Sequence, residues 1–197
     1  MSAVRLFRWP EMPALPPPGQ PVLVKVDTAV SRPAARQQMR ETVQRIFSAW
    51  SGSPAQLPSW RETRCGPIWP DAPGGLPVAV SFSYSNNTGW IGLVRSGLIG
   101  VDATPACPFP EMEDVALLYL GPASAAAIRG AVNPARAFAA AWTGWEAQLK
   151  CQGRSLTEWP GAPVVSGMRF TGRQTHIQDD VVVSVVTAEP TTHPGAA

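Results

Sequence analysis

Hydrophobic and polar positions change their period several times along the chain, and each change marks an element. Apolar residues alternate through VLVKVD (22–27), which predicts a strand. Beyond Pro33, Met39, Val43, Ile46, Phe47 and Trp50 recur at three- and four-residue spacings among Arg36, Arg40 and Arg45, which predicts a helix stopped by SGSP at 51–54. Residues 55–77 are rich in proline and glycine and read as irregular. Strands are expected at VAVSFSYS (78–85), WIGLVRS (90–96) and LIGVD (98–102), joined hairpin-fashion through NNTG and Gly97. ATPACPFP then breaks the pattern, and helices follow over about 111–120, 122–130 and 134–152.

The last helix carries its own punctuation. Asn133 is a cap, Pro134 suits the first turn and Gly153 suits the stop. Phe138, Ala141, Trp145 and Leu149 form its apolar stripe, widened by Trp142, with Glu146 and Lys150 along the edge. MRFTG and VVVSVVTAE read as closing strands, and PTTHPGAA as a loose tail. Helices and antiparallel strands fall in both halves, so the expected class is α+β, with two similar lobes at 1–99 and 100–197.

Composition narrows the function. With 45% hydrophobic residues in 197, the chain can bury one sizeable core or two that share an interface. The net charge is +2 and no block of consecutive lysines or arginines occurs, so no nucleic-acid partner is expected. Cys65, Cys107 and Cys151 are odd in number and lack any CxxC, which argues against a disulfide framework and a zinc site and fits a reducing, cytoplasmic setting. No apolar run approaches about 18 residues, so neither a membrane span nor an export signal is expected. The tryptophans read as core fillers without a basic run beside them, and His176 and His193 stand alone. SFSYS lacks the glycines of a hydrolase elbow.

Two acids stand out. Asp102 directly follows the apolar LIGV, where a carboxylate costs free energy unless it is paired or holds a cation; capping the turn into ATP is the plain alternative. Glu146 and Lys150 lie four residues apart on one helix face, where an ion pair worth about 0.2–0.5 kcal/mol is the plain reading.

The order FSYS, GWIGLV, IGVDAT, WTGWEAQLKCQG resembles the surfactin-synthetase-type 4′-phosphopantetheinyl transferases. That family shows a Ser-His-Ser strand, then Gly-[Val/Ile]-Asp-x-Glu, then Trp-x-x-Lys-Glu-[Ala/Ser]-x-x-Lys-x-x-Gly, and the match spans about residues 34–156. The resemblance implies two pseudo-symmetric α+β lobes in a monomer, with the active site between them. It implies transfer of the phosphopantetheine arm of coenzyme A to a serine of an acyl or peptidyl carrier protein, with magnesium required and 3′,5′-ADP released. Carried over by position, Asp102 and Glu146 would be metal ligands, Glu146 would help deprotonate the carrier serine, and Lys150 would hold a phosphate. Arg36, Ser83, Tyr84 and Ser85 would meet the 3′-phosphate of coenzyme A. Cys65–Pro67 stands where relatives have Gly-Lys-Pro, with Arg64 as a stand-in for the lysine; Lys25 and Arg32 are further candidates for the 3′-phosphate.

Magnesium takes hard oxygen ligands and usually one or two carboxylates, so two acids suffice. Three replacements depart from the family: Tyr84 for histidine, Thr104 for the second acid, and Trp145 for lysine. The first two motivate a second expectation, a non-catalytic descendant that binds carrier protein or coenzyme A. Under the first expectation, Asp102→Ala and Glu146→Ala each abolish transfer and leave the fold intact.

Overall fold

The computed structural model describes residues 3–29, 31–52, 61–63, 66–69, 77–161 and 168–190. Within these the chain runs β1 (Arg5–Arg8), β2 (Val22–Asp27), α1 (Arg32–Ser51), β3 (Arg61–Thr63), β4 (Gly66–Trp69), β5 (Val78–Ser85), β6 (Thr88–Arg95) and β7 (Leu98–Pro105). It continues with α2 (Met112–Leu120), α3 (Pro122–Arg129), α4 (Pro134–Cys151), β8 (Met168–Gln178) and β9 (Val181–Pro190). The class is α+β, with one sheet ordered β1-β2-β6-β5-β4-β3 and a second ordered β7-β9-β8.

One arrangement occurs twice. In the first half a strand (β2), a helix (α1) and a hairpin (β5, β6) fold so that the first strand pairs antiparallel with the last, giving β2-β6-β5. In the second half β7, α4 and the hairpin of β8 and β9 give β7-β9-β8 by the same pairings. The halves differ in size, because β1 adds a parallel strand beside β2 while β4 and β3 extend the sheet beyond β5.

Strand alternation sorts side chains into layers. Val22, Val24, Val26, Val78, Val80, Ile91 and Leu93 face α1 and enclose its Met39, Val43, Ile46 and Phe47, all fully or nearly fully buried. The opposite face, through Leu23, Ala79, Trp90 and Val94, packs on Ile99, Val101, Ala103, Val181, Val183 and Val185 of the second sheet. That second sheet turns Val186 and Ala188 to Ala147 and Cys151 of α4. The order is therefore helix, sheet, sheet, helix, with α2 and α3 packed against α4 through Ala116, Leu120, Ala125, Ile128 and Phe138.

The expected helices and most strands are present, but β7 runs on through Ala103, Thr104 and Pro105, paired with β9, where a break was expected and, as one alternative, a turn capped by Asp102; four further differences stand out. β1 is a strand although RLFR shows little pattern, because β2 supplies it a parallel partner. β3 and β4 form an antiparallel pair inside a stretch expected to be irregular, with Ile68 and Trp69 joining it to β5. β8 runs well beyond MRFTG, to Gln178. Finally, Ser96 and Gly97, both at positive φ, do not close a hairpin: β6 and β7 are unpaired, and the chain crosses here from one sheet to the other. The expected division at 99/100 thus falls inside β7. Among the described residues no helix is long and apolar enough to cross a membrane.

Candidate active site

β7 has two edges and, among the described residues, one strand partner, β9. Unpaired backbone groups on a buried edge are costly, and here β5 satisfies them with side chains. Ser81, Ser83 and Ser85 all project from the face of β5 opposite α1. Val101 N–H donates to Ser81 Oγ (3.0 Å) and Ala103 N–H to Ser83 Oγ (3.0 Å). The next rung falls on Pro105, which has no N–H. Ser85 Oγ accordingly has no hydrogen-bond partner among the described residues, although Ser85 is only 4% exposed.

Asp102 sits between these rungs, 5% exposed, with its side chain on the α4 side of β7. Its Oδ1 accepts from Ser83 Oγ (3.0 Å) and from Lys150 Nζ (2.7 Å); Oδ2 has no hydrogen-bond partner among the described residues. Across β9, Ser184 lies opposite Asp102, its Oγ within 2.7 Å of Thr143 Oγ1 on α4 and 3.1 Å of Thr175 Oγ1 on β8. Helix α4 reaches this close because β7 carries glycine at 100. A Cβ there would stand 1.8 Å from the Ala147 carbonyl oxygen.

Lys150 does not pair with Glu146. Its ammonium turns inward to Asp102 and also donates to Val101 O (3.0 Å) and Phe82 O (3.4 Å), so its three N–H groups are spent on β5 and β7. A carboxylate as deep as Asp102 demands a cation more strongly than a helix-surface acid does. Glu146 is left half-buried with no hydrogen bond or ion pair among the described residues. Burial pushes its carboxyl above the ordinary range, the Asp102 charge raises it further, and the Lys150 ammonium pulls it down.

Glu146 lies near enough to Asp102 for that charge to raise its carboxyl. Asp102 Oδ2 and the Glu146 carboxylate are unclaimed hard oxygens, the donor set a magnesium ion accepts alongside water and phosphate. Thr104 lies on the same side of β7 as Asp102 and is partly exposed. Trp145 packs with Trp142 and Phe138 toward α2, as the apolar stripe requires.

The four residues expected to meet the 3′-phosphate do not share a face. Ser83 and Ser85 are buried toward β7, whereas Tyr84 points the other way, against α1. Burial raises the Tyr84 phenol, so it stays a neutral hydroxyl, while the charges of Arg36, Arg40 and Arg32 oppose that shift. The three arginines are exposed and spaced four apart on α1, so they gather beside Tyr84. Lys25 is buried and committed to Asp179 (2.8 Å) on the turn between β8 and β9. Arg64 and Cys65 lie outside the described residues.

Asp102→Ala would take from Lys150 its charged partner and from Ser83 its acceptor, leaving Lys150 its two carbonyl contacts and Ser83 its bond from Ala103 N–H. Sequence reading also missed that Ser81 and Ser83 serve the β7 edge; the signal was available in serines at every second position of one strand. No family model matches the chain, and no curated protein matches it.

Proposed function

We propose that this protein is a magnesium-dependent 4′-phosphopantetheinyl transferase that moves the phosphopantetheine arm of coenzyme A to a serine of an apo carrier protein. The observation that supports the reading is the buried Asp102 held by Lys150 of α4 and Ser83 of β5, with the Glu146 carboxyl one helical turn before Lys150 and within reach of the Asp102 charge. The repeated strand–helix–hairpin unit is the architecture the same reading requires.

In this reaction the serine oxygen bonds to the phosphorus that bears the pantetheine, the pyrophosphate bond breaks, and 3′,5′-ADP leaves. Asp102 through Oδ2 and Glu146 are the residues that would hold magnesium, which when bound neutralises and orients the pyrophosphate. Glu146 is also the carboxylate that would accept the serine proton. Lys150 can turn one N–H to a phosphate oxygen by releasing Phe82 O, its longest contact at 3.4 Å. Arg32, Arg36 and Arg40 supply the positive charge for the 3′-phosphate that Tyr84 lacks. Three widely spaced cysteines without a CxxC suit a reducing cytoplasm.

Purified protein is incubated with coenzyme A, magnesium and several apo carriers, and intact carrier masses are read. A gain of one phosphopantetheine, lost in Glu146→Gln, is the expected result. Absence of any gain with a folded protein overturns transfer. It would favour the second reading, a carrier- or coenzyme A-binding descendant, to which the fully spent Lys150 ammonium already points.

A further inference from the structure

We infer that Ser83 is a positioning residue for Asp102, and that its hydroxyl acts through the carboxylate rather than on coenzyme A. The inference rests on the metal-site reading above for its consequence, but its geometry stands alone. Ser83 Oγ accepts from Ala103 N–H (3.0 Å) and donates to Asp102 Oδ1 (3.0 Å), so the hydroxyl is anchored by the backbone next to the very residue it holds. Both interactions are buried. Lys150 occupies the same Oδ1 at 2.7 Å. With Oδ1 claimed twice, Oδ2 is the Asp102 oxygen left without a hydrogen-bond partner among the described residues.

Ser81 is the internal control. It makes the equivalent bond to Val101 N–H at 3.0 Å in an equally buried position, and it touches no carboxylate. A purely structural role for the serine row predicts the same consequences for both residues. A positioning role separates them, because partners that orient a metal-binding side chain typically contribute 10–100-fold to metal affinity.

The test uses the full chain as wild type, Ser81→Ala, Ser83→Ala and Ser83→Thr, without coenzyme A or carrier. Mn²⁺ binding is titrated by electron paramagnetic resonance, and the Asp102 side-chain conformation is read by NMR couplings without metal. Ser83→Ala is expected to weaken Mn²⁺ about 10–100-fold and release Asp102 from its single rotamer. Ser83→Thr, which keeps the hydroxyl, should restore both, and Ser81→Ala should leave both at wild-type values. Equal effects of the two alanine variants, or an unmoved Asp102 in Ser83→Ala, overturn the inference. If wild type binds no Mn²⁺, the metal reading fails, and the Asp102 conformation alone then decides the role of Ser83.

Discussion

Gly100→Ala is the sharpest probe of how the site is assembled. A Cβ at this position stands 1.8 Å from the Ala147 carbonyl oxygen and 2.7 Å from the Cys151 nitrogen, both backbone atoms of α4 that cannot rotate aside. Restoring an ordinary 3.4 Å separation asks for an outward shift of about 1.6 Å. Overpacking of this kind costs about 1–3 kcal/mol, and the backbone obstacle puts it at the upper end. Restricting the unfolded chain returns about 0.4–1 kcal/mol, leaving a net loss of about 2–2.5 kcal/mol. For a domain of this length that is a fall in Tm of about 4–10 °C. The same shift draws Lys150 away from Asp102, and in the proposed transfer a displacement of about 1 Å can cost about 100-fold in rate. Gly130→Ala is the matched control: its Cβ would meet nothing closer than 3.6 Å, at negative φ. Differential scanning calorimetry of both variants decides the matter. A Gly100→Ala protein melting within about 2 °C of wild type would refute the argument that glycine sets the depth of α4.

Three further outcomes are expected. Glu146→Gln should raise Tm at neutral pH: the folded-state carboxyl is raised, so its stabilising contribution is present only below the ordinary glutamate range and is lost as pH rises through the folded value. The advantage of the variant should vanish in melts near pH 4, and an equal advantage at both pH values would contradict the buried, unpaired state of Glu146. Asp179 has the opposite sign. Its hydrogen bond and charge pairing with Lys25 hold the carboxyl low, so its contribution is complete above the ordinary aspartate range and fades as pH falls through the lowered value. Urea titrations of Asp179→Asn should show lower stability than wild type at pH 7 and convergence in acid, with Lys25 left buried and unpaired. Asp102→Asn, which keeps the shape but not the charge, should lose stability toward the lower end of about 3–5 kcal/mol, since Lys150 is a third exposed. An unchanged urea midpoint there would show that the Lys150 ammonium does not need its carboxylate.

Much of this arrangement could be read from residue order. α1 and α4 carry an early proline and periodic apolar positions, and Asn133 Oδ1 does accept from the Arg136 N–H at 2.9 Å. What sequence did not reveal was the sheet-facing side of α4. Ala139, Thr143, Ala147 and Cys151 recur every four residues and are all buried, yet their small side chains carry little hydrophobic signal beside Phe138 and Trp145. Ranking by size picked the stripe against α2 and missed the one that brings Glu146 and Lys150 to β7. The ion pair was misassigned for a related reason: spacing along a helix shows which residues can meet locally, whereas burial of a distant carboxylate decided which pair forms.

The doubled topology shows where a site could arise at all. β2 and β7 hold equivalent places in their units, each pairing antiparallel with the last strand of its hairpin. Around β2 the remaining edge is closed by β1, a full strand that meets its backbone groups in parallel register. Around β7 no strand occupies that edge among the described residues; two serine hydroxyls and the Lys150 ammonium meet Val101 and Ala103 instead. A strand saturates an edge with fixed amide groups, but side chains bring hydroxyls and a charge that can also reach a carboxylate. The asymmetry therefore places Asp102, with Oδ2 unclaimed, beside a movable cation and an unpaired acid in one half only. A strand along the β7 edge, as β1 lies along β2, would replace the Ser81 and Ser83 hydroxyls with backbone amides and leave Asp102 without its Ser83 donor.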